Sequence, residues 1–230
     1  MYGVGFDLDH TLAIDNKLER VAFLRLLELV PGRGGRAMGS LDEEGDRVDA
    51  LLALQRSGAF SIDEAVRRFV RERGVAAAEP FVERFRALAL EMAEDFVVPL
   101  PGVRETIGAL RGRGFTIAVL SNGWNPLQTV KASRAGFDGP VIASADVGAQ
   151  KPDARAFSAL LEALGSRPEH TWYVGDDPHG DVSGASAAGL HPVWLDNQGH
   201  PFPPHLPQPA HRITSLEELL AVLPARAKPS

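Results

Sequence analysis

The order of apolar and polar positions divides the chain into two kinds of segment. Residues 2–8 are short, apolar and glycine-containing, and they run into charge at Asp7 and Asp9. That is the pattern of a buried strand with carboxylates at its C-terminal end. Residues 17–95 have a different period. Phe23, Leu26, Leu27 and Val30 recur at helical spacing, and Val48, Leu51, Leu52 and Leu54 do so within 41–55. Ser61 and Glu64 stand in the S-x-x-E spacing of a capping box before a helix at 65–73, and 81–92 reads as a further amphipathic helix. This block contains no convincing strand pattern. From Val97 onwards the two periods alternate. Helices are predicted at 103–111, about 126–135, 154–164 and 182–188, with strands at 115–120, 141–143, 171–175 and 192–195. The prolines at 201, 203, 204, 207 and 209 predict an irregular surface loop over 199–209. Ser215 and Glu218 repeat the capping-box spacing before a last helix at 216–223, and 224–230 are expected to fray.

Strand–helix alternation predicts a parallel sheet with helices on both faces. The expected fold is therefore α/β: a doubly wound, Rossmann-like core made of 1–14 and 97–230, with residues 15–96 inserted after the first strand as a helical cap. Composition agrees, because 44% apolar and 23% charged residues are ordinary for a globular chain. The absence of cysteine removes disulfides, thiolate metal sites and cysteine nucleophiles. With 24 basic and 30 acidic side chains the net charge is −6, so no basic excess exists to hold a nucleic-acid backbone. No apolar run approaches the roughly 20 residues of a membrane span, and the first ten residues lack the basic region of a signal peptide. The expectation is a cytoplasmic protein, monomer or homodimer, with no nucleic-acid or membrane partner.

Open parallel sheets bind ligands beyond the carboxyl ends of their strands. Predicted strands end at Asp7/Asp9, at Ser121/Asn122 and at Asp176/Asp177, and Lys151 follows another strand by a short loop. Carboxylates crowded on one rim need a cation or protons to offset them. Hard oxygen ligands without cysteine favour Mg²⁺ over zinc. A carboxylate can attack phosphorus, and a second carboxyl two residues on can protonate the leaving alcohol and then activate water. Ser121, Asn122 and Lys151 supply hydrogen bonds and positive charge for phosphoryl oxygens. Arg67, Arg68, Arg71, Arg73, Arg84 and Arg86 either face a substrate or form solvated faces paired with glutamate, the commoner outcome.

The segments GVGFDLDHTL, AVLSNG, QKPD and YVGDDPHGDVSGASAAGL, spread over residues 3–190, match in order the four motifs of the haloacid dehalogenase-like (HAD) hydrolases. The match resembles most the phosphatase branch with a helical cap, the group that holds phosphoglycolate phosphatase, acylneuraminate-9-phosphatase and pyrimidine nucleotidases. The resemblance implies that Asp7 is nucleophile and metal ligand, and that Asp9 is general acid/base with its backbone carbonyl on the metal. It implies that Ser121, Asn122 and Lys151 bind the phosphate, Lys151 also keeping Asp7 ionised. Asp176 becomes the further carboxylate on Mg²⁺, with Thr11, Asp177 and Asp181 in support. His10 stands where the family commonly has glycine. The dehalogenase branch lacks an acid at the position of Asp9, so the resemblance favours a phosphatase. The implied activity is Mg²⁺-dependent hydrolysis of a small phosphorylated metabolite through an aspartyl-phosphate, with the insertion as a lid. Other readings are a phosphomutase or dehalogenase on the same scaffold, or a non-enzymatic phospho-receiver or binding module.

Overall fold

Strand β1, Gly3–Phe6, is buried at every position, which a strand must be when it has neighbours on both sides and helices over both faces. In the computed structural model, which describes residues 2–30, 39–197, 199 and 201–225, β1 is followed by β2 (Ala13–Ile14), β3 (Val98–Pro99), β4 (Thr116–Ser121), β5 (Val141–Ala143), β6 (Thr171–Gly175), β7 (His191–Leu195) and β8 (His211–Ile213). Six of these form one parallel sheet in the order β5-β4-β1-β6-β7-β8. The register fixes the site. Phe6 lies opposite Val119 of β4 and Val174 of β6, so the residues just beyond these three strands emerge side by side.

The chain divides into two compact units, Met1–Asp15 with Val97–Ser230, and Asn16–Phe96. The first holds the sheet, flanked by helices that include α5 (Val103–Gly112), α6 (Leu127–Arg134), α7 (Ser144–Val147), α8 (Ala154–Leu164), α9 (Gly184–Ala187) and α10 (Leu219–Val222). The fold is thus the Rossmann-like α/β core with an inserted helical subdomain. Helix α8 repeats apolar residues at helical spacing and buries Ala156, Phe157, Leu160 and Leu164 against Ala118 and Leu120 of β4 and Tyr173 of β6. Gly5 makes room for that contact, since a Cβ there would stand 2.6 Å from Leu160.

Four features of this unit differ from the sequence expectation. VVPLP is not only an entry segment: Val98 and Pro99 pair antiparallel with Ile14 and Ala13, a two-stranded ribbon where the insertion leaves and returns. Strand β8 follows the proline-rich loop, and three residues are too few to show a period. The helix expected at 182–188 begins earlier, as a wide π-type turn over Pro178–Ser183, before α9. The second capping box does not form. Thr214, not Ser215, bonds the Glu218 carboxylate, Oγ1 donating at 2.6 Å, and Leu216–Glu218 is a 3₁₀ turn ahead of α10. Of the tail expected to fray, 226–230 lie outside the described residues.

Among the described residues the second unit holds four α-helices, α1 (Leu18–Leu26), α2 (Leu41–Arg56), α3 (Ile62–Arg71) and α4 (Glu79–Phe96). Phe23 of α1 packs edge-on against Phe69 of α3 and tilted against Phe85 of α4, with ring centroids 5.3 and 4.6 Å apart. The complete capping box is at Ser40 and Glu43, while Ser61 Oγ accepts from the Glu64 amide at 3.3 Å. Most arginines pair at the surface as expected: Arg67 with Glu79 (2.8 Å), Arg68 with Glu64 (3.1 Å), Arg84 with Glu91 (3.0 Å) and Arg86 with Asp63 (2.9 Å). Arg73 does not. Its side chain is wholly buried, pairs with the equally buried Glu44, donates to the Phe69 carbonyl at 2.5 Å, and lies over the Phe69 ring. Removing one partner of such a pair strands the other, whereas replacing both by apolar residues of similar volume does not. Arg73→Met is therefore expected to cost about 3–5 kcal/mol in urea unfolding. The double variant Glu44→Leu/Arg73→Met should recover most of that loss, and exposed Arg68→Ala should cost less than about 1 kcal/mol.

Candidate active site

Three neighbouring parallel strands deliver the sequence-predicted residues to one rim. Asp7 follows β1, and its amide still donates to the Val174 carbonyl of β6 at 2.8 Å. Ser121 ends β4 and Asp176 follows β6. The loop after α7 brings in Lys151. Its ammonium is buried and donates to Asp7 Oδ1 at 2.6 Å, Asp181 Oδ1 at 2.7 Å and Tyr173 Oη at 3.0 Å. An isolated buried ammonium would be strongly unfavourable, and these acceptors are what make burial tolerable.

Each partner is itself held. Tyr173 donates its hydroxyl proton to the Leu120 carbonyl at 2.8 Å, which turns its oxygen towards the lysine. Asp181 tucks against Gly175, where a Cβ would approach its carboxylate to 2.1 Å, and its Oδ2 accepts from the Asp177 amide at 3.0 Å. Asn122 clamps the Lys151 backbone from both sides, donating to its carbonyl at 3.1 Å and accepting from its amide at 2.8 Å. Trp194 of β7 donates to the Asp176 carbonyl at 3.0 Å, and Thr11 donates to Asp176 Oδ1 at 3.5 Å. The Asp177 side chain caps the following turn by accepting from the His179 amide at 2.9 Å.

Carboxylate oxygens of Asp7, Asp176 and Asp181 lie within 4.8 Å of one another. The Asp9 carboxylate is not part of that group. It pairs with Lys131 of α6, and Gln128 of the same helix approaches it at 3.4 Å while donating to Ser121 Oγ at 2.5 Å. His10, between Asp9 and Thr11, has φ 60°, the left-handed region that glycine adopts most readily. Asn197 donates to its carbonyl at 2.6 Å and pins the turn. Tyr173, Gln128 and Lys131 were not singled out from sequence. The signal for the last two was their i,i+3 spacing on one face of α6.

Burial pushes the Asp7 carboxyl up to about 7 against the pull of Lys151. Asp176 rises to about 7, through burial and then the Asp7 charge. Asp181 rises to about 6, again chiefly through burial, with Lys151 opposing. Burial alone would lower Lys151, but Asp181 and Asp7 outweigh it and hold the lysine well above its ordinary value. When all are ionised, three carboxylates face one ammonium and leave two negative charges. Hard oxygen donors carrying that excess suit a divalent cation such as Mg²⁺, which would stand in place of the protons the cluster otherwise retains.

The sequence model of the haloacid dehalogenase-like hydrolases matches residues 3–189. The chain belongs to this family. It is 38% identical over 140 residues to the phosphoserine phosphatase of Thermus thermophilus, spanning 57% of this chain and 56% of that relative, so the match reaches little more than half of that relative's length. It is 34% identical to the pyrimidine 5′-nucleotidase YjjG of Escherichia coli over 63% of this chain and 68% of that one. With the phosphoglycolate phosphatase of Pseudomonas putida it shares 30% identity across 99% of this chain and 80% of the relative. In fold it is similar to the 2-haloacid dehalogenase of Pseudomonas syringae (TM-score 0.73, 24% identity, 96% of this chain and 98% of that one). It also resembles the HAD hydrolase YfnB of Bacillus subtilis, a magnesium-bound structure (TM-score 0.69, 24% identity, 96% and 97%). No helix among the described residues is long and apolar enough to cross a membrane.

The raised carboxyls set a pH dependence. Between the ordinary aspartate value of 3.8 and about 7, the folded protein holds protons that the unfolded chain has released. Stability without metal therefore falls as pH rises through that window and is greatest at its acid end. Urea unfolding in a chelator should show stability falling by several kcal/mol from about pH 5 to about pH 7.5. Asp176→Asn should flatten the slope.

Proposed function

We propose that the protein is a Mg²⁺-dependent phosphomonoester hydrolase that acts on a small phosphorylated metabolite through an aspartyl-phosphate on Asp7. The reading takes the protein to work in the cytoplasm. The observation that carries it is the placement of Asp7. It is a strand-end carboxylate hydrogen-bonded to a buried lysine, grouped with two further carboxylates, and followed two residues on by Asp9.

In this reading Asp7, Asp176 and the Asp9 backbone carbonyl hold the cation. When bound, the cation neutralises phosphate charge and keeps the carboxylates ionised. Lys151 engages one oxygen of Asp7 and leaves the other to attack phosphorus. As the new O–P bond forms, the bond to the leaving alcohol breaks, and Asp9 gives that oxygen a proton. Asp9 then takes a proton from water, which attacks phosphorus, releases inorganic phosphate and restores Asp7. Ser121 Oγ already accepts from Gln128, so its own proton is available to a phosphoryl oxygen. Asn122 places one amide hydrogen on the Lys151 carbonyl and has a second to offer. Lys151 adds the positive charge, Asp181 and Tyr173 keep it in position, and Thr11 and Asp177 support the two loops. An acid at position 9 suits an alkoxide leaving group, which is why phosphate ester is preferred to alkyl halide.

With p-nitrophenyl phosphate, turnover is expected to require Mg²⁺ and to vanish in EDTA. Asp7→Asn should lower kcat about ten-thousand-fold or more, and Asp9→Asn should lower kcat by about 10²–10⁴-fold by removing the base that activates water. A stable acyl phosphate without phosphate release would support a receiver instead, and halide release from a haloacid would support a dehalogenase.

A further inference from the structure

Helix α6 carries two buried polar side chains for which the steps above have no complete use. Lys131 is 3% exposed and Gln128 2%. A buried ammonium needs partners, and Lys131 has at least two. It pairs with Asp9 Oδ1, and it donates to Asp15 Oδ2 at 2.9 Å. Gln128 Nε2 spans the gap between Ser121 Oγ, at 2.5 Å, and Asp9 Oδ2, at 3.4 Å. Both oxygens of the Asp9 carboxyl thus meet a side chain from one face of α6, and the same glutamine touches the hydroxyl assigned to the phosphate. Fold stability alone gives little reason for this arrangement, because buried ion pairs are often replaceable by well-packed apolar residues without loss. It does fix a side chain whose use depends on direction.

We propose that Lys131 and Gln128 are positioning residues. They hold the Asp9 carboxyl at a set distance from Ser121, so that a phosphate bound at Ser121 presents its leaving oxygen to Asp9. This rests on the reading of Asp9 as the acid–base group. Asp15 shares the ammonium, so Lys131 orients Asp9 while dividing its charge between two carboxylates. A misplacement of about 1 Å in such a group is enough to cost on the order of a hundredfold in rate.

The consequence is a dependence on the leaving group. Phenolate needs protonation more than p-nitrophenolate does, and kcat/KM reports the steps up to transfer onto Asp7. We would measure kcat/KM with Mg²⁺ on phenyl phosphate and on p-nitrophenyl phosphate for wild type, Lys131→Met, Lys131→Arg, Gln128→Leu and Asp9→Asn, with urea midpoints as the folding control. Lys131→Met and Gln128→Leu are expected to lose about tenfold or more on phenyl phosphate relative to p-nitrophenyl phosphate, beyond any loss that both substrates share through Ser121. Lys131→Arg should recover part of the loss, and Asp9→Asn should show the same bias more strongly. Equal losses on both substrates, or none, in Lys131→Met and Gln128→Leu while Asp9→Asn keeps its bias would overturn the positioning role alone. An unbiased Asp9→Asn would overturn the acid–base reading and this proposal with it. Should Lys131→Met fail to fold, the ratio for Gln128→Leu decides.

Discussion

A single buried ammonium organises the carboxylate rim of the sheet. Lys151 has three acceptors, Asp7, Asp181 and Tyr173, drawn from two strands and the turn after the second. Without that positive charge, carboxylates could not be gathered out of water at one place, and without them the ammonium could not be buried. The rest of the sheet serves this exchange. The parallel register of β4, β1 and β6 aligns their ends, and Tyr173 belongs both to the core under α8 and to the shell around the lysine. Core packing and site geometry therefore meet in one side chain.

A second buried lysine stands at Asp9. Lys151 joins a group with an excess of negative charge that suits a divalent cation, whereas Lys131 faces Asp9 and Asp15, one ammonium against two carboxylates. The two aspartates of the DLDHT segment thus have separate cationic partners from separate elements. Two carboxyls so close in sequence can then occupy different environments, as the nucleophile and proton carrier proposed for them require.

The parts of this arrangement legible in the sequence are those fixed by strand ends. Asp7, Ser121 and Asp176 each follow a short apolar run, and in a parallel sheet such positions share one rim whatever the loops do. The helical character of 17–95 was equally plain, because its period is long and sustained. Tyr173, Gln128, Lys131 and Arg73 were not legible. Each is a polar residue inside an ordinary strand or helix pattern, and its burial is decided by a partner far off in sequence: Leu120 for Tyr173, Asp9 for Gln128 and Lys131, Glu44 for Arg73. The β2–β3 pairing was hidden for the same reason, since its two halves stand on either side of the inserted unit.

That ribbon has an architectural consequence. Ala13 faces Pro99, Ile14 faces Val98, and the Leu100 amide donates to the Leu12 carbonyl at 2.9 Å. The inserted helices are in effect the loop of a hairpin whose stem is stitched to the core. Once a stem is closed, each doubling of the loop adds only about 0.6 kcal/mol of closure entropy. Helical cassettes of quite different size could be exchanged at this stem while the strand order and the spacing of Asp7 from Asp176 stayed the same, so the length of the insert is free to vary while the rim is kept.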